Sequence, residues 1–502
     1  MTEMKVLKRD ILKSLPGSQP AGDHPIKALQ IGDGNFIRSF IDWMVSDMNQ
    51  KTDFNGSIAT VQALPGDQTT QKINKQEGLF TLLLKGIRNG QSIEERHIID
   101  SITKGFNPYT EWESLLKLVE EEQVSFLFSN TTEAGIVYHP EEFNPDQSPV
   151  SYPGKVTALL YHRYQTFKGD RDKGWTIIPC ELIDNNGEAL RHICVRKAAD
   201  WGLPTEFIDW IDTACTFCNT LVDRIVPGFP ANEAEKIYEE LQYRDELLAV
   251  AEPYHLFVIE SPAELETKLP LKQAGLNVHF DSIKPYRELK VKLLNGAHTM
   301  LAPIGILSGL DTVREGMQNQ ELFQFIDHAL HEEVAITMDP QAKNASVNYM
   351  EQLYERFTNP YLHHKLIDIS LNGYSKFKSR VWPSLYAYLQ EYESLPKRLI
   401  FSFASLLYFY KGVNEEVGYS ITDDEQTIAM FKRFYHFKDH SKEQLVVFIK
   451  RMIEEDFLEK EEELNELYEA IATDFMLIDQ LGMQSALEKK RVGISNENNS
   501  MY

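Results

Sequence analysis

Two kinds of hydrophobic pattern divide this chain, and they meet near residue 286. From about residue 26 to residue 285, short apolar or β-branched runs alternate with longer amphipathic stretches. The apolar runs include "KALQIG", "GSIATVQAL", "VSFLFSN", "WTIIPCEL" and "YHLFVIE". Strands that alternate with helices build βαβ units, so this pattern predicts a mainly parallel sheet. Between "WGLPTEF" and "AEPYHLF" the pattern is largely helical and predicts an inserted or peripheral helical lobe.

After residue 286 the apolar residues recur at helical spacing, and strand-like runs nearly vanish. The clearest segments are "ELFQFIDHALHEEVAITM", "PKRLIFSFASLLYFYKG" and "SKEQLVVFIKRMIEEDFLEKEEELNELYEAIATDFM". A chain of 502 residues exceeds what one hydrophobic core accommodates. We therefore predict an α/β domain over residues 1–285 and a mostly α-helical domain over residues 286–502. The charged run "EEDFLEKEEELNEL" is expected on a solvated helix face, and "RVGISNENNSMY" as a frayed end.

Charge and hydropathy exclude several classes of protein. The 75 acidic residues outnumber the 51 Lys and Arg residues, and the formal net charge of -24 repels nucleic acid. A run of about 18 apolar residues, as a membrane helix needs, is not found. The N-terminal segment lacks the apolar core of a signal peptide. We expect a cytoplasmic protein with no nucleic-acid or membrane partner.

Four cysteines in a chain of this length do not make a disulfide framework. Cys215 and Cys218 form a C-x-x-C pair in "TACTFCNTLVDRI". A zinc ribbon needs a second such pair, and Cys180 and Cys194 are too far apart to supply it. We predict no metal site and expect Cys215 and Cys218 to be buried on a helix.

The segment "LQIGDGNFIRSF" joins a predicted strand to a predicted helix through two glycines. Gly32 would allow a tight turn, and Gly34 would let the backbone approach a pyrophosphate at the helix N-terminus. Ile37 occupies the position of the third glycine in the dinucleotide-binding fingerprint. A G-x-G alone therefore leaves both a cofactor turn and an ordinary strand-to-helix loop open.

The end of the second predicted strand bears on the choice between NAD and NADP. An acidic residue there usually binds the ribose hydroxyls. In "SIATVQALPGD" the strand ends at Gln62, and Asp67 comes later. Gln62 can hydrogen-bond a ribose, but it carries no charge to exclude a 2′-phosphate. Since no Arg or Lys stands there either, NAD is favoured.

Lys290, Asn295 and His298 interrupt an otherwise apolar helix in "ELKVKLLNGAHTMLAPIG". At about 100° per residue, the three fall in one sector of an α-helix. One interpretation is structural: an ion-paired lysine, a loop-capping asparagine and a core histidine. The other is a carbonyl-reducing site, in which a desolvated lysine exchanges a proton with the substrate oxygen while the asparagine and the histidine hold that oxygen.

These residues resemble the signature of the mannitol dehydrogenase family, the polyol-specific long-chain dehydrogenases. The family pattern K-x-x-x-x-N-x-x-H matches the three polar residues of this helix. The family glycine turn, G-x-G-x-F-x-R, is matched by Gly32, Gly34, Phe36 and Arg38. Further segments follow in the family's order, so the resemblance covers roughly residues 26 to 415. It implies a Rossmann-like NAD-binding domain, a helical domain, and an active site between them.

The resemblance also implies roles for single residues. Lys290 is the expected general acid in reduction and general base in oxidation, and Asn295 and His298 orient the reacting oxygen. The expected cofactor contacts are Ile31, Gly32, Gly34, Asn35, Phe36, Arg38, Gln62, Asn130, Thr132 and Glu133. A helix-capping role for Thr131 or Thr132 is the alternative for that loop. Asp223 and Lys376 match substrate-contacting positions, and Arg224 is a candidate ion-pair partner of Asp223.

Two positions depart from the mannitol-oxidising branch of the family. Leu182 stands where that branch has an oxyanion-stabilising Asn, which leaves Asn130 or Asn185 as candidate replacements. Asp368 stands where it has an Arg eight residues before the matched lysine. "SNTTEAGI", "PCELIDNNG" and "NGAHT" instead resemble a branch that interconverts hexuronates and aldonates. The resemblance thus implies a small-molecule hexuronate or aldonate as substrate.

A hexuronate carries a carboxylate, which calls for cations or backbone donors. The candidates are Lys376, Lys378, Arg380, His363 and His364. The alternative for each of them is a surface charge that does not contact the substrate. A substrate of the mannitol type is one alternative, and a cofactor-binding protein without turnover is another. The intact Lys, Asn and His set argues against the second. We expect a monomer or a small homo-oligomer.

Overall fold

A computed structural model describes residues 4–14, 22–132, 134–413, 418–436, 441–458 and 464–490. The chain forms two compact units, Met1–Ile283 and Lys284–Tyr502. Glu133 and the C-terminal segment "RVGISNENNSMY" lie outside the described residues, as does the middle of the charged run "EEDFLEKEEELNEL". Within the described ranges, no helix is both long and apolar enough to cross a membrane.

The first unit contains twelve strands among its described residues. They are β1 Ile26–Ile31, β2 Ser57–Val61, β3 Phe80–Arg88, β4 Gln91–Ile99, β5 Ile102–Phe106, β6 Phe126–Ser129, β7 Thr176–Pro179, β8 Thr216–Phe217, β9 Asn219–Asp223, β10 Ala249–Ala251, β11 Leu256–Glu260 and β12 Val278–His279. Six of them form one parallel sheet in the order β5-β2-β1-β6-β7-β8. The predicted mainly parallel sheet is confirmed.

The strand order reverses at the centre of this sheet. From β1 the chain builds outward through β2 to β5, and it then returns to place β6 on the other side of β1. Every residue of β2 and β6 is buried, as expected for parallel strands covered on both faces. Ligands of open α/β sheets bind beyond the carboxyl ends of the strands at such a switch point. The glycine turn after β1 and residues 130–132 after β6 both lie there.

Two smaller sheets complete the strands of the first unit. They have the orders β10-β3-β4 and β12-β11-β9. The predicted helical lobe is therefore wrong in part, because β8, β9 and β10 fall in that stretch. Strand β9, "NTLVD", is short and mixes polar with apolar residues, and it is held by antiparallel pairing with β11 rather than by a strong pattern of its own.

The cysteine prediction is wrong about the helix. Cys215 follows the helix Thr205–Ala214, and Cys218 lies between β8 and β9, so both are in extended segments. Cys218 is buried and Cys215 is half-buried, and burial raises the pKa of each thiol to about 12. Such thiols are not reactive at neutral pH.

Helices cover the sheets of the first unit. They are Arg9–Ser14, Asn35–Ile37, Arg38–Asp42, Trp43–Lys51, Thr69–Lys75, Trp112–Val119, Tyr152–Thr166, Arg171–Lys173, Asn186–Asp200, Thr205–Ala214, Ala234–Leu241 and Glu264–Lys268. Arg38–Asp42 is a π-helical turn, so residues 35–51 form one continuous helix with a π-bulge. Arg171–Lys173 is a 3₁₀ turn.

The second unit is mostly helical, as predicted. Its helices are Lys284–Glu288, Leu289–Asn295, Gly296–Leu307, Val313–Gln318, Gln320–His328, Ala329–Val334, Ala335–Thr337, Pro340–Phe357, Leu366–Ser370, Gly373–Arg380, Trp382–Glu391, Lys397–Tyr410, Lys411–Val413, Glu425–Phe434, Lys442–Asp456 and Asn465–Leu481. Residues 284–307 form a continuous helix, here called the signature helix. Its part Gly296–Leu307 is buried along nearly its whole length, which places it in the core of this unit.

Candidate active site

Gly32 makes the turn after β1 at the switch point of the sheet. Its φ is +106°, a conformation that side chains rarely adopt, and a Cβ added there would lie 2.5 Å from the carbonyl oxygen of Asn130. The two strand ends are also joined by a hydrogen bond, since the Asn130 amide donates to the Ile31 carbonyl at 3.1 Å. Gly32 is therefore fixed by the close approach of β6.

Gly34 has a different environment from Gly32. Its φ is −69°, and a Cβ added to it would meet no atom within 4 Å. It is the N-cap of the helix that begins at Asn35, and having no side chain it leaves the first amides of that helix uncapped. Uncapped amides beside open space are what a pyrophosphate requires.

Arg38 stabilises this turn through hydrogen bonds. Its buried guanidinium donates to the carbonyl oxygens of Asp33 at 3.1 Å and Leu247 at 2.5 Å, and to Asn35 Oδ1 at 2.7 Å. Ile37, in place of the third glycine, is fully buried in the core of the first unit. Phe36 is half-buried and stacks on Phe40 with ring centroids 5.2 Å apart. Arg38 therefore holds the backbone that the cofactor is expected to contact.

Asp33, between the two glycines, was missed by the sequence reasoning. Its carboxylate is buried and accepts a hydrogen bond from the Thr70 hydroxyl at 2.9 Å. Burial and the nearby charge of Asp67 raise the pKa of Asp33 to about 6. An acidic residue inside a G-x-G turn is the signal that could have drawn attention to it.

Gln62 follows β2 and is buried. Its Nε2 donates to the carbonyl oxygen of Leu64 at 2.6 Å, so the side chain shapes its own loop. A contact between Gln62 and a ribose stays a prediction.

The loop after β6 is held by Glu181, a buried carboxylate that follows β7. Glu181 accepts hydrogen bonds from the Ser129 hydroxyl at 3.0 Å, the Thr131 amide at 3.0 Å and the Thr131 hydroxyl at 2.9 Å. Burial raises the pKa of Glu181. Asn130 Nδ2 donates to the carbonyl oxygen of Cys180 at 2.9 Å. Thr131 thus binds a side chain of the neighbouring strand end.

Thr132 has φ +89°, a strained value for a β-branched residue. Such strain concentrates at functional sites. Leu182 is 57% exposed, and Asn185 is also exposed and left-handed, with φ +51°. The choice of Asn130 or Asn185 to replace the oxyanion-stabilising Asn at the position of Leu182 stays a prediction.

Asp223 is buried at the end of β9. Arg224 beside it donates to the carbonyl oxygens of Glu252 at 2.9 Å and Ser39 at 2.6 Å, and lies over the Trp43 ring at 4.3 Å. Burial lowers the pKa of Arg224 to about 9. Arg224 thus joins β9 to the helix that follows the glycine turn.

The second unit carries the Lys, Asn and His set on the signature helix. Lys290 and Asn295 lie in its π-helical turn, Leu289–Asn295, and His298 lies in the first turn of Gly296–Leu307. The expectation of a regular α-helix is therefore wrong here. Because a π-turn bonds residue i to residue i+5, Lys290 and Asn295 lie nearer to one line along the helix than α-helical geometry would place them. Both are half-buried.

His298 is buried against aromatic neighbours. Its ring stacks on Phe357 with centroids 4.2 Å apart and meets the ring of His364 edge-on at 5.0 Å. Nε2 of His298 has no hydrogen-bond partner among the described residues. Burial, followed by the charges of His364 and three cations, holds the pKa of His298 well below its usual value. The imidazole is therefore neutral at pH 7, and Nε2 is available to a ligand.

The candidate cations separate into two groups. His364, Lys376 and Arg380 are half-buried and lie near enough to His298 to affect its pKa, whereas His363 and Lys378 are exposed. Lys376 Nζ donates to the carbonyl oxygen of Ile369 at 2.9 Å. Asp368 is exposed.

Comparison with known proteins accounts for both units. Residues 26–273 match the mannitol dehydrogenase Rossmann domain, and residues 282–475 match the mannitol dehydrogenase C-terminal domain. The altronate oxidoreductase of Bacillus subtilis is 42% identical over 93% of this chain and 95% of its own length. That of Klebsiella pneumoniae is 39% identical over 97% of this chain and 99% of its own length.

Solved structures share the fold at lower identity. A substrate-free D-sorbitol dehydrogenase superposes with a TM-score of 0.80 at 22% identity, covering 96% of this chain and 100% of its own. The Pseudomonas fluorescens mannitol 2-dehydrogenase, in a ternary complex with NAD and D-mannitol, gives 0.68 at 22% identity over 96% of this chain and 99% of its own.

Proposed function

The chain belongs to the mannitol dehydrogenase family, and on that premise we propose that it interconverts D-tagaturonate and D-altronate with NAD as cofactor. It is an oxidoreductase that acts on the CH–OH group of a polyol or sugar acid. The observation that carries the choice of substrate is the likeness to altronate oxidoreductases, at 39% identity over 97% of this chain for the Klebsiella pneumoniae protein, because it extends through both units.

The glycine turn fits NAD. Gly34 leaves open space beside uncapped helix amides, which would hold the pyrophosphate, and Arg38 keeps the backbone of the turn in place. When bound, NAD supplies the carbon that donates or accepts the hydride. Ile31, Asn35, Phe36, Gln62, Asn130 and Thr132 are proposed as further cofactor contacts.

Side chains of the signature helix are proposed to transfer the proton and to bind the reacting oxygen of the substrate. In reduction, the Lys290 ammonium donates its proton to the carbonyl oxygen as that oxygen gains negative charge, and in oxidation the Lys290 amine removes the hydroxyl proton. Asn295 Nδ2 donates a hydrogen bond to the same oxygen, and neutral His298, in the tautomer that carries its proton on Nε2, donates a second one. Asp223 and Lys376 are proposed to contact the substrate.

The substrate assignment is tested by the rate of NADH consumption with D-tagaturonate, D-fructuronate and D-fructose. We expect the highest kcat/KM with D-tagaturonate. A preference for D-fructuronate would indicate a mannonate-forming reductase, and a preference for D-fructose would indicate a mannitol dehydrogenase. If the protein bound NADH but turned over none of the three substrates, it would be a cofactor-binding protein without catalytic activity.

A further inference from the structure

Basic side chains lie near His298 in the second unit: three cationic side chains and the imidazole of His364, whose pKa burial lowers. Arg356, His364, Lys376 and Arg380 all lie close enough for their charges to lower the pKa of His298. This cluster stands in a chain whose formal net charge is -24. Lys376 and Arg380, the two half-buried cations on one helix, destabilise each other unless an anion joins them.

The backbone of Arg380 lies close to the signature helix beside Asn295. It ends the helix Gly373–Arg380, and a Cβ added to Gly296 would lie 3.5 Å from its carbonyl oxygen. Gly296 is the residue after Asn295. The guanidinium is half-buried, and burial lowers its pKa. Within the part of the chain that the structure describes, it has no hydrogen-bond or ion-pair partner.

Lys376 and Arg380 repel each other across one turn of the same helix. Like charges at positions i and i+4 destabilise a helix, and burial together with the charge of Arg380 lowers the pKa of Lys376. The nearby carboxylate of Asp423 is engaged, since it accepts hydrogen bonds from the Tyr410 hydroxyl and the Tyr374 amide. A carboxylate bound between the two cations would remove the repulsion.

The unpaired ring nitrogen of His298 independently indicates a ligand. Its side chain is more than nine-tenths buried, and its Nε2 is unpaired within the described residues. A buried polar nitrogen without a partner is costly, so a ligand atom is expected to complete it. The ring of His298 also meets the ring of His364 at 5.0 Å, and Arg380 is near enough for its charge to act on His298.

We propose that Arg380, together with Lys376 and His364, binds the carboxylate of the substrate and thereby selects a sugar acid over its uncharged counterpart. This inference rests on the proposed function. In D-tagaturonate four carbon–carbon bonds separate the carbonyl carbon from the carboxylate. One molecule therefore reaches from the oxygen held by Asn295 and His298 to a cation one helix away. The planar guanidinium binds a carboxylate through two parallel hydrogen bonds.

The test compares D-tagaturonate with D-tagatose, which has a CH₂OH group in place of the carboxylate. For Arg380→Gln we expect kcat/KM on D-tagaturonate to fall roughly ten- to hundredfold, the size of one charged hydrogen bond, mainly through KM. Activity on D-tagatose should stay within about twofold, so the preference for the acid shrinks. Arg380→Lys keeps the charge without the two-pronged geometry and should fall in between. Lys378→Gln, on the same helix but exposed, is the matched control and should change neither substrate.

Four outcomes overturn the proposal. An equal loss on both substrates would make Arg380 a structural residue, and an unchanged preference would remove it from carboxylate binding. A Lys378→Gln enzyme that lost the preference as Arg380→Gln does would indicate a general surface-charge effect. If Arg380→Gln does not fold, an Arg380→Lys enzyme that keeps the full wild-type preference for the acid would also overturn the proposal. Failure of the proposed function is seen separately, as a wild-type enzyme that binds NADH and does not reduce D-tagaturonate.

Discussion

A Cβ placed on Gly32 would lie 2.5 Å from the carbonyl oxygen of Asn130. The first glycine of the turn is thus required by the neighbouring strand end, whereas Gly34, two residues later, faces open space. The two glycines therefore have separable roles: Gly32 is needed by the fold, and Gly34 is proposed to act in ligand binding.

Alanine at the two glycines should separate these roles. Gly32→Ala is expected to destabilise the protein by roughly 1–3 kcal/mol or more, because φ is +106° and the methyl group meets backbone. Gly34→Ala should change stability by less than about 0.5 kcal/mol, since its φ is ordinary, but should weaken NADH binding by placing a methyl group in the pyrophosphate space. Thermal unfolding and a fluorescence titration with NADH measure both. Equal NADH affinity in Gly34→Ala and wild type would remove this turn from the cofactor site.

Replacement of Lys290 should separate turnover from binding. For Lys290→Ala we expect a fall in kcat of about 10²–10⁴, the usual contribution of a general acid, with NADH affinity retained. Lys284→Ala, at an exposed position of the same helix, is the control and should keep wild-type kcat. Near wild-type turnover in Lys290→Ala would exclude this lysine from the mechanism.

His298 should make the protein sensitive to acid. Its pKa is lowered in the folded state, so the unfolded chain binds more protons below about pH 6.5, and the stability contributed by the neutral ring is lost as the pH falls from there. His298→Gln should reduce the loss of stability between pH 7 and pH 5. The slope contributed by one such group is at most about 1.4 kcal/mol per pH unit.

Thermal unfolding of wild type and His298→Gln between pH 7 and pH 5 measures the difference in their loss of stability. His255, whose pKa is lowered to about 3 by burial and by Arg224, acts in the same direction and stays in both proteins. Parallel pH profiles for the two proteins would contradict the buried neutral state of His298.

Asp33 should act in the opposite direction. Its pKa is raised to about 6 in the folded state, so its contribution to stability is fully present below about pH 4 and is lost as the pH rises through 6. Asp33→Asn removes the buried charge and should increase the free energy of unfolding at pH 8 by an amount of the order of 1–3 kcal/mol, and at pH 5 by about half as much. Thr70→Val, which removes the hydrogen-bond donor, should lower stability at pH 8 more than at pH 5. A variant Asp33→Asn that is equally stabilised at both pH values would show that ionisation of Asp33 is not the cause.

The parts of the fold that the sequence predicted are those with strong local patterns. Strands β1, β2, β6 and β7 are buried on both faces and so appear as unbroken apolar runs, and the long periodic segments after residue 286 are amphipathic helices. Strands β8 and β9 were not predicted because pairing with distant strands holds them. The π-turns were not predicted because hydrogen-bond register, rather than residue type, defines them.

The candidate site divides in the same way. Lys290, Asn295 and His298 could be proposed from the sequence because they are polar residues on an apolar helix. The surroundings of His298 could not be derived from spacing, since Phe357, His364 and Arg380 come from other helices. Glu181 was hidden for a similar reason, because its partners Ser129 and Thr131 follow a different strand. Tertiary packing created both environments.

The π-turn at Leu289–Asn295 makes the direction of Lys290 depend on hydrogen-bond register as well as on sequence spacing. If the same residues formed ordinary α-helical hydrogen bonds, the helix before the turn would rotate by roughly 100° relative to His298, because the wide turn takes up about one residue more than an α-helical turn does. Lys290 would then point elsewhere although every side chain of the signature was still present. Homologues that keep the lysine, the asparagine and the histidine at this spacing but form a regular α-helix there should therefore not be assumed to share this chemistry.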